Sequence, residues 1–420
     1  MTEAATHKPP HPSLYLLLFL PFGITSGYAT VTLSYLLSQG GATVAAVAGV
    51  VGMSYLPNTW KVLWAPLVDT TLSPKKWYLI SVGLSAASFA GCAFLPYTVA
   101  SLPAFGALMF IMGGVSTFLA MSVERLMAYD TPEEQKGRAG GWSQAGNLGG
   151  QGLGGGLSLW LIESGGFSSA ASGAMLGLLC VLCCAALLWV DDSKPLLKVE
   201  GHLEIAGRKG VAANLRAIGG DLWELLRSRI GILALLICLL PIGSGAAQNL
   251  WSPIADEWHA SADVVAFVTG AMSGLISALG CLAGGWLCDR IDRKAAYCLF
   301  GFLLCLAAVG MALCPRTSNQ YVFWTSTYAF GVGLCYAAYC AVVLEAIGKT
   351  AAATKFSFLS AVSNSPIMAM TFVDGWAQGR WGTNGMLWTE AAIGAVGIVV
   401  FAAMAAATKR PAAPALANAA

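Results

Sequence analysis

Twelve apolar stretches, each about as long as a membrane-spanning helix, run along this 420-residue sequence. A helix needs roughly 20 apolar residues to cross the hydrocarbon core of a bilayer. The stretches are separated by polar residues, Pro and Gly, and lie at 14–38, 43–68, 77–97, 102–129, 138–162, 168–190, 229–254, 262–287, 295–314, 319–346, 355–379 and 384–407. The pattern predicts an all-α membrane protein with twelve transmembrane helices.

The scarcity of charge excludes most soluble classes. Charged residues make up 10% of the sequence and hydrophobic residues 57%, and the mean hydropathy is +0.68. Soluble domains carry about 25% charged residues, so a soluble enzyme, a nucleic-acid-binding protein and a disordered protein are all excluded. The lipid bilayer is the expected environment, and no nucleic acid is expected as a partner.

The first apolar stretch, which follows the polar residues 1–12, is too long to be the core of a cleavable signal peptide. It is therefore interpreted as a retained membrane helix. The twelve cysteines lie almost entirely inside apolar stretches. Free thiols pack there as small apolar side chains, so a disulfide framework is not expected.

No constellation typical of an enzyme or a metal centre is present in the sequence. The histidines lie near the N-terminus, in the central polar stretch or in a predicted outer loop, and no two of them share a metal-ligand spacing: His7, His11, His202 and His259. An ATP-binding motif is also absent from the sequence. We therefore expect no enzymatic activity, no cofactor and no metal, and an ion gradient as the energy source.

One long polar stretch, 191–228, divides the chain into two sets of six segments. The predicted domains are an N-terminal half at 1–190, a basic cytoplasmic linker at 191–228 and a C-terminal half at 229–420. Lys and Arg concentrate on one side of the predicted membrane, together with the linker and both termini. Because cytoplasmic loops carry the excess of Lys and Arg, both termini are predicted to be cytoplasmic. The opposite side keeps only Arg316 and Arg380.

The two halves also repeat one another. Asp69 and Asp289, which end the second and eighth segments, are 220 positions apart. Glu124 and Glu345 are 221 positions apart, and Ser143-Gln-Ala-Gly-Asn147 lies 217 positions before a similar run that ends at Asn364. Three landmarks at nearly one offset indicate two parallel six-helix repeats. In membrane transporters that are built from two such repeats, the substrate binds between the repeats near the midplane of the membrane.

The loop after the eighth segment reads Gly285-Trp-Leu-Cys-Asp289-Arg290-Ile-Asp-Arg293-Lys294. It resembles the Gly-x-x-x-Asp-Arg-x-x-Arg-Arg/Lys signature of the major facilitator superfamily. The resemblance implies a gating role for Asp69, Asp289, Arg290 and Arg293, in which a carboxylate beside cations latches helix ends in one state and releases them in the other.

A narrower resemblance starts at Thr59-Trp-Lys61-Val-Leu-Trp64-Ala-Pro66-Leu-Val-Asp69. This run is similar to the signature of AmpG-like permeases, the peptide/acetyl-coenzyme A transporter branch of that superfamily. Supporting similarities lie at 131–139 and at 358–364 with Gly375-Trp376. The branch also includes siderophore permeases of about this length, whereas AmpG permeases carry extra C-terminal helices. The resemblance implies transport of a muropeptide, siderophore or acyl-conjugate type of solute.

Ionisable residues inside apolar segments are costly and are functional candidates by default. Lys61 and Glu124 lie at similar depth in segments of one half, so we predict an ion pair, with Arg125 as a competitor for the carboxylate. This ion pair is either a proton-coupling site or a purely structural bridge, and the sequence leaves both alternatives open. Asp374 lies deep in the eleventh segment with Arg380 as candidate partner, and is a rival coupling site. Glu390 is interpreted as a packing or lipid-edge residue, and Glu345 as interfacial.

A polar and aromatic set marks the expected substrate cavity. Gln144, Asn147 and Gln151 recur on one helix face and cannot face lipid. The other predicted cavity residues are Tyr28, Tyr35, Gln248, Asn249, Trp251, Tyr336, Tyr339 and Asn364. The glycines of 140–156 and 270–285 predict a close, sliding contact between the fifth and eighth segments.

The sequence thus favours a proton-coupled secondary transporter of the bacterial inner membrane. It would import a medium-sized amphipathic organic solute together with protons, by alternating access, and function as a monomer. The alternative is an exporter of drugs or metabolites by proton antiport.

Overall fold

The structure is a computed structural model that describes residues 10–190 and 208–407. Within these ranges every regular element is helical. The crossings are α1 (Leu14–Gln39), α2 (44–70), α3 (Pro74–Phe94), α4 (Leu102–Asp130), α5 (136–163), α6 (Ser169–Trp189), α7 (229–258), α8 (Asp263–Cys288), α9 (Arg293–Leu313), α10 (Ser318–Ile347), α11 (352–381) and α12 (383–407). The predicted all-α architecture of twelve helices is confirmed.

Eight helices of the described ranges are long and apolar enough to cross a membrane. One of them is the 56-residue run Ala352–Ala407, which Gly382 divides into α11 and α12 by adopting φ 71°. Glycine tolerates this left-handed φ because it has no Cβ. The other crossings, α2, α5 and α7, are interrupted by short 3₁₀ or π segments.

The interruption of α7 lies deep in the bundle. Its first part, Arg229–Leu239, stops before Pro241, and a 3₁₀ turn resumes at Ala246. Between them Gly243 and Gly245 have φ of 63° and 68°. Proline lacks the N–H that continues a helix, and the two glycines turn the backbone where other residues would be strained. The break therefore frees backbone polar groups from helical hydrogen bonding within a membrane-spanning segment, and the Ile242 carbonyl oxygen instead accepts a hydrogen bond from Tyr297 Oη at 2.5 Å.

The central polar stretch is partly helical. Residues 208–227 form a linker helix, Arg208–Arg227, that leads into α7. We call the side of the bundle that holds this helix and the α10–α11 connection at 348–351 the linker end. The predicted linker residues 191–207, the predicted N-terminal residues 1–9 and the C-terminal residues 408–420 lie outside the described ranges.

Glycines of α5 and α8 bring the two repeats into close contact, as the sequence predicts. A Cβ on Gly141 would lie 2.5 Å from the carbonyl oxygen of Cys281, and one on Gly285 would lie 2.6 Å from the carbonyl oxygen of Gly137. Not every glycine of the pattern belongs to this contact. Gly280 faces the carbonyl oxygen of Phe330 on α10 at 2.2 Å, so it joins two helices of one repeat.

Gly141→Ala should lower the stability of the purified protein by about 1–3 kcal/mol, because the methyl group overpacks backbone against backbone. Gly149→Ala is the matched control on the same helix. A Cβ there meets nothing closer than the Ala278 Cβ at 3.8 Å. Thermal unfolding of both variants in one detergent measures the difference. Equal melting temperatures would contradict a tight α5–α8 contact.

Candidate functional site

A central cavity of about 400 Å³ lies between the two repeats. Its wall is built by α1, α2, α4 and α5 of the first repeat and by α7, α10 and α11 of the second, with Tyr297 of α9. Polar side chains alternate with aromatic and apolar ones around it. A pocket of this size and mixed polarity is typical of small-molecule sites.

Eight predicted cavity residues lie in this wall. They are Gln144, Asn147, Gln151, Gln248, Asn249, Tyr336, Tyr339 and Asn364. The three α5 amides form a ladder, in which the Asn147 amide donates to Gln144 Oε1 at 3.1 Å and the Gln151 amide donates to Asn147 Oδ1 at 3.2 Å. The ladder fixes the orientation of these amides and presents a row of donors and acceptors to a solute.

The other three predicted cavity residues, Tyr28, Tyr35 and Trp251, do not line the cavity, so the prediction is wrong for them. The Tyr28 ring packs edge-on against Phe89 with centroids 5.1 Å apart, and Trp251 packs likewise against Tyr328 at 5.2 Å. Tyr35 lies towards the end of α1, beside Glu163. The reason is helical geometry. The α1 wall residues include Ser26, and two further residues rotate the helix by about 200°, which turns Tyr28 away from the cavity.

Several wall residues on α2 and α11 are not among those predicted from the sequence. These are Ser54, Tyr55, Asn58, Ser360 and Ser363. A signal for them existed, because Ser54 and Asn58 are spaced i, i+4, and Ser360, Ser363 and Asn364 are spaced i, i+3, i+4. Polar residues recurring on one face of an apolar helix seldom face lipid.

The predicted pair of Lys61 and Glu124 is present in the cavity wall. Lys61 Nζ lies 3.8 Å from Glu124 Oε1, and both side chains are about 95% buried. Lys61 Nζ also donates a hydrogen bond to Ser360 Oγ at 3.0 Å. Glu124 Oε2 has no hydrogen-bond partner among the described residues. Lys61 therefore connects a carboxylate of the first repeat to a hydroxyl of the second.

Arg125 does not compete for this carboxylate. Its guanidinium donates to the carbonyl oxygen of Val68 at 2.6 Å and lies 5.9 Å from the ring centroid of Tyr129. Successive residues of a helix point about 100° apart. Arg125 consequently holds the end of α2 against α4, while Glu124 faces the cavity.

Asp374 lies beside Glu390, not beside Arg380, which is exposed. Asp374 is fully buried and Glu390 is 7% exposed. Glu390 Oε1 accepts hydrogen bonds from Tyr328 at 2.5 Å and from Ser244 Oγ at 3.5 Å. The expected lipid-edge position of Glu390 is therefore wrong, whereas its burial agrees with the packing alternative. The Gly382 turn folds α12 back along α11 and brings the two carboxyl groups together.

The two repeats are joined at the linker end by equivalent aspartates. Asp69, at the end of α2, accepts hydrogen bonds from Ala353 N, Thr354 N and Thr354 Oγ1, which begin α11. Asp289, at the end of α8, accepts from Gly137 N and from Arg138 N and Nε, which begin α5. Each carboxylate thus satisfies free N–H groups at a helix N-terminus of the other repeat, where negative charge is favoured.

The Major Facilitator Superfamily model matches residues 14–371 and 233–419 of this sequence. The chain belongs to this superfamily. The anhydromuropeptide permease of Escherichia coli strain K12 is 26% identical over 370 residues, which is 85% of this chain and 71% of the permease. The AmpG-like resemblance is therefore supported over most of the sequence.

Solved structures of the superfamily share the fold at low sequence identity. A proton:xylose symporter, XylE, matches with a TM-score of 0.69 and 16% identity, covering 94% of this chain and 95% of that one. The human organic anion transporter TETRAN matches with a TM-score of 0.66 and 15% identity, covering 93% and 98% of the two chains. These structures show the fold, and membership of the superfamily makes this protein a membrane transporter and not an enzyme.

Arg293 and Lys294 of the superfamily loop signature take part in a charge network at the linker end. Arg293 forms ion pairs with Glu133 at 2.5 Å and Glu345 at 3.3 Å, and Lys294 pairs with Glu345 at 2.5 Å. Partial burial raises the pKa of Glu133, but hydrogen bonds from Lys136 and Arg293 outweigh it and lower the pKa below its ordinary value. Arg290 instead stacks on Trp286, 3.6 Å from the ring centroid.

Proposed function

We propose that this superfamily member is a proton-coupled secondary transporter that imports a muropeptide-type solute across the bacterial inner membrane. The cavity between the repeats carries the proposal. A muropeptide combines sugar hydroxyls and peptide amides with apolar groups, and the wall offers the α5 amide ladder, serine hydroxyls and tyrosine rings. Similarity to the anhydromuropeptide permease over 85% of the chain supports the same class of solute.

The contacts at the linker end support alternating access. The two aspartate caps and the Glu133–Arg293 pair join the repeats there. Breaking them would let the repeats rock about the cavity and expose it to the other side. In the orientation we propose, both termini and the linker helix are cytoplasmic, and one copy of the chain holds a complete cavity and functions as a monomer.

The Lys61–Glu124 pair is the proposed coupling site. Lys61 and Glu124 belong to the first repeat and Ser360 to the second, so relative movement of the repeats would break the Lys61–Ser360 hydrogen bond and free the lysine side chain to move relative to the carboxylate. A buried carboxylate loses a stabilising interaction when its cation moves away and then accepts a proton readily. Glu124 would carry the proton, and Lys61 would act as the switch that links its uptake and release to the rocking motion.

Uptake of a radiolabelled anhydromuropeptide by cells lacking their own permease tests this function. Cells that express the chain should accumulate the solute, and an uncoupler should abolish accumulation because the proton gradient collapses. Retained solute that rises on uncoupling would identify an exporter instead. Accumulation of an iron–siderophore complex but not of the muropeptide would overturn the substrate class and leave the transport mechanism intact.

A further inference from the structure

A pair of buried carboxyl groups lies outside the proposed coupling site. Asp374 of α11 is fully buried, and neither of its oxygens has a hydrogen-bond partner other than the neighbouring carboxyl of Glu390. Glu390 is also buried, and its Oε2 receives no hydrogen bond from an N–H or O–H group of the described residues. Within the described part of the chain, neither group forms an ion pair with Lys or Arg. Two adjacent unpaired carboxylates are unfavourable in a low-dielectric site.

The surroundings stabilise one negative charge at this position but not two. Tyr328 Oη donates to Glu390 Oε1 at 2.5 Å, and Ser244 Oγ lies 3.5 Å from the same atom. Among the described residues, the other titratable groups that face the pair or Tyr328 are the thiols of Cys305 on α9 and Cys335 on α10. A proton on one carboxyl would let its O–H donate to the other carboxylate and would satisfy two of the three oxygens that lack partners.

The pair is connected to the transport cavity through the break in α7. Ser244 lies between Gly243 and Gly245, both with positive φ, and it lines the cavity. Its hydroxyl points to Glu390, and it also accepts a hydrogen bond from Ala246 N at 3.3 Å. A change of charge at Glu390 therefore acts directly on a residue that shapes the cavity wall.

We propose that Asp374 and Glu390 form a second proton-binding site, which holds one proton between two carboxyl groups and transmits its loss to the cavity through Ser244. On release, the carboxylic acid O–H bond breaks, its electron pair stays on the carboxylate, and the proton passes to water. The two resulting carboxylates repel each other and disturb the Ser244 contact. The role in transport rests on the proposed function, whereas proton binding itself does not.

Infrared spectroscopy of the full chain in liposomes, with choline chloride as the salt, tests the site without any solute. The wild type should show the C=O stretch of a protonated carboxyl group at neutral pH, and the band should shift in D₂O. Asp374→Asn and Glu390→Gln should each lose this band. Glu124→Gln is the matched control and should keep it. A wild type without the band, or a band that survives Asp374→Asn, would overturn the proposal.

Tyr328→Phe keeps the ring and removes the donor to Glu390, so it is the variant least disturbing to the fold. It should retain the band and raise the midpoint of its pH titration by roughly one unit, because the carboxylate loses one charge-assisted hydrogen bond. An unchanged midpoint would contradict the assignment. Loss of the band on replacing choline with sodium would show a sodium site instead. The expected spectra without any muropeptide uptake would refute only the proposed function.

Discussion

Glu124→Gln should lower gradient-driven accumulation of an anhydromuropeptide at least tenfold while leaving solute exchange partly intact. Gln keeps the size and hydrogen-bonding capacity of the side chain but cannot carry a proton. The neighbouring Lys61 would retain its hydrogen bond to Ser360 Oγ at 3.0 Å, so the cavity should keep its shape. Proteoliposomes loaded with unlabelled solute measure exchange, and an imposed pH gradient measures accumulation.

Lys61→Ala serves as the comparison for this prediction. It should impair both exchange and accumulation, because it leaves the 97% buried Glu124 without its cation. Breaking a buried pair by removing one partner is costly, about 3–5 kcal/mol. If Glu124→Gln accumulates solute normally and Asp374→Asn does not, proton coupling belongs to the carboxyl pair on α11 and α12. The Lys61–Glu124 pair would then be structural.

Removing both aspartate caps should open the linker end. In the double variant Asp69→Ala, Asp289→Ala, the N-termini of α11 and α5 lose six hydrogen bonds contributed by the other repeat. Each lost cap costs about 0.5–2 kcal/mol. Together the two losses amount to about 1–4 kcal/mol and should shift the population between the two access states by roughly fivefold or more. Spin-label distances between cysteines placed at the exposed residues Lys349 and Lys76, which take no part in these hydrogen bonds, measure the opening.

Asp292→Ala provides the matched control. Its carboxylate caps α9 of its own repeat by accepting from Lys294 N at 3.1 Å and Ala295 N at 2.9 Å, so it joins no second repeat. The control should lose a comparable helix cap without changing the distance across the linker end. Equal distance distributions in the double variant, the control and the wild type would show that the caps do not hold the two repeats together.

Local sequence was enough to predict the architecture. Apolar length determines where a chain can cross a bilayer, because unpaired backbone groups are excluded from lipid. The twelve segments and the repeat landmarks Asp69 and Asp289 follow from this constraint, and the structure gives both aspartates the same role. Lys61 and Glu124 were also predictable, since unpaired charges inside apolar helices require partners and these two lie at one depth.

Side-chain direction and contacts distant in sequence were decided by the tertiary structure alone. Tyr28 and Trp251 turn away from the cavity because rotation about the helix axis, not position along it, determines what a side chain faces. Asp374 and Glu390 meet because the chain reverses at Gly382, and Ser244 reaches them because α7 is broken. Periodicity within one segment carries no information on which face of another segment will pack against it. Sequence therefore determined the helices, their buried charges and the pairing of Lys61 with Glu124, whereas tertiary packing determined that Asp374 meets Glu390.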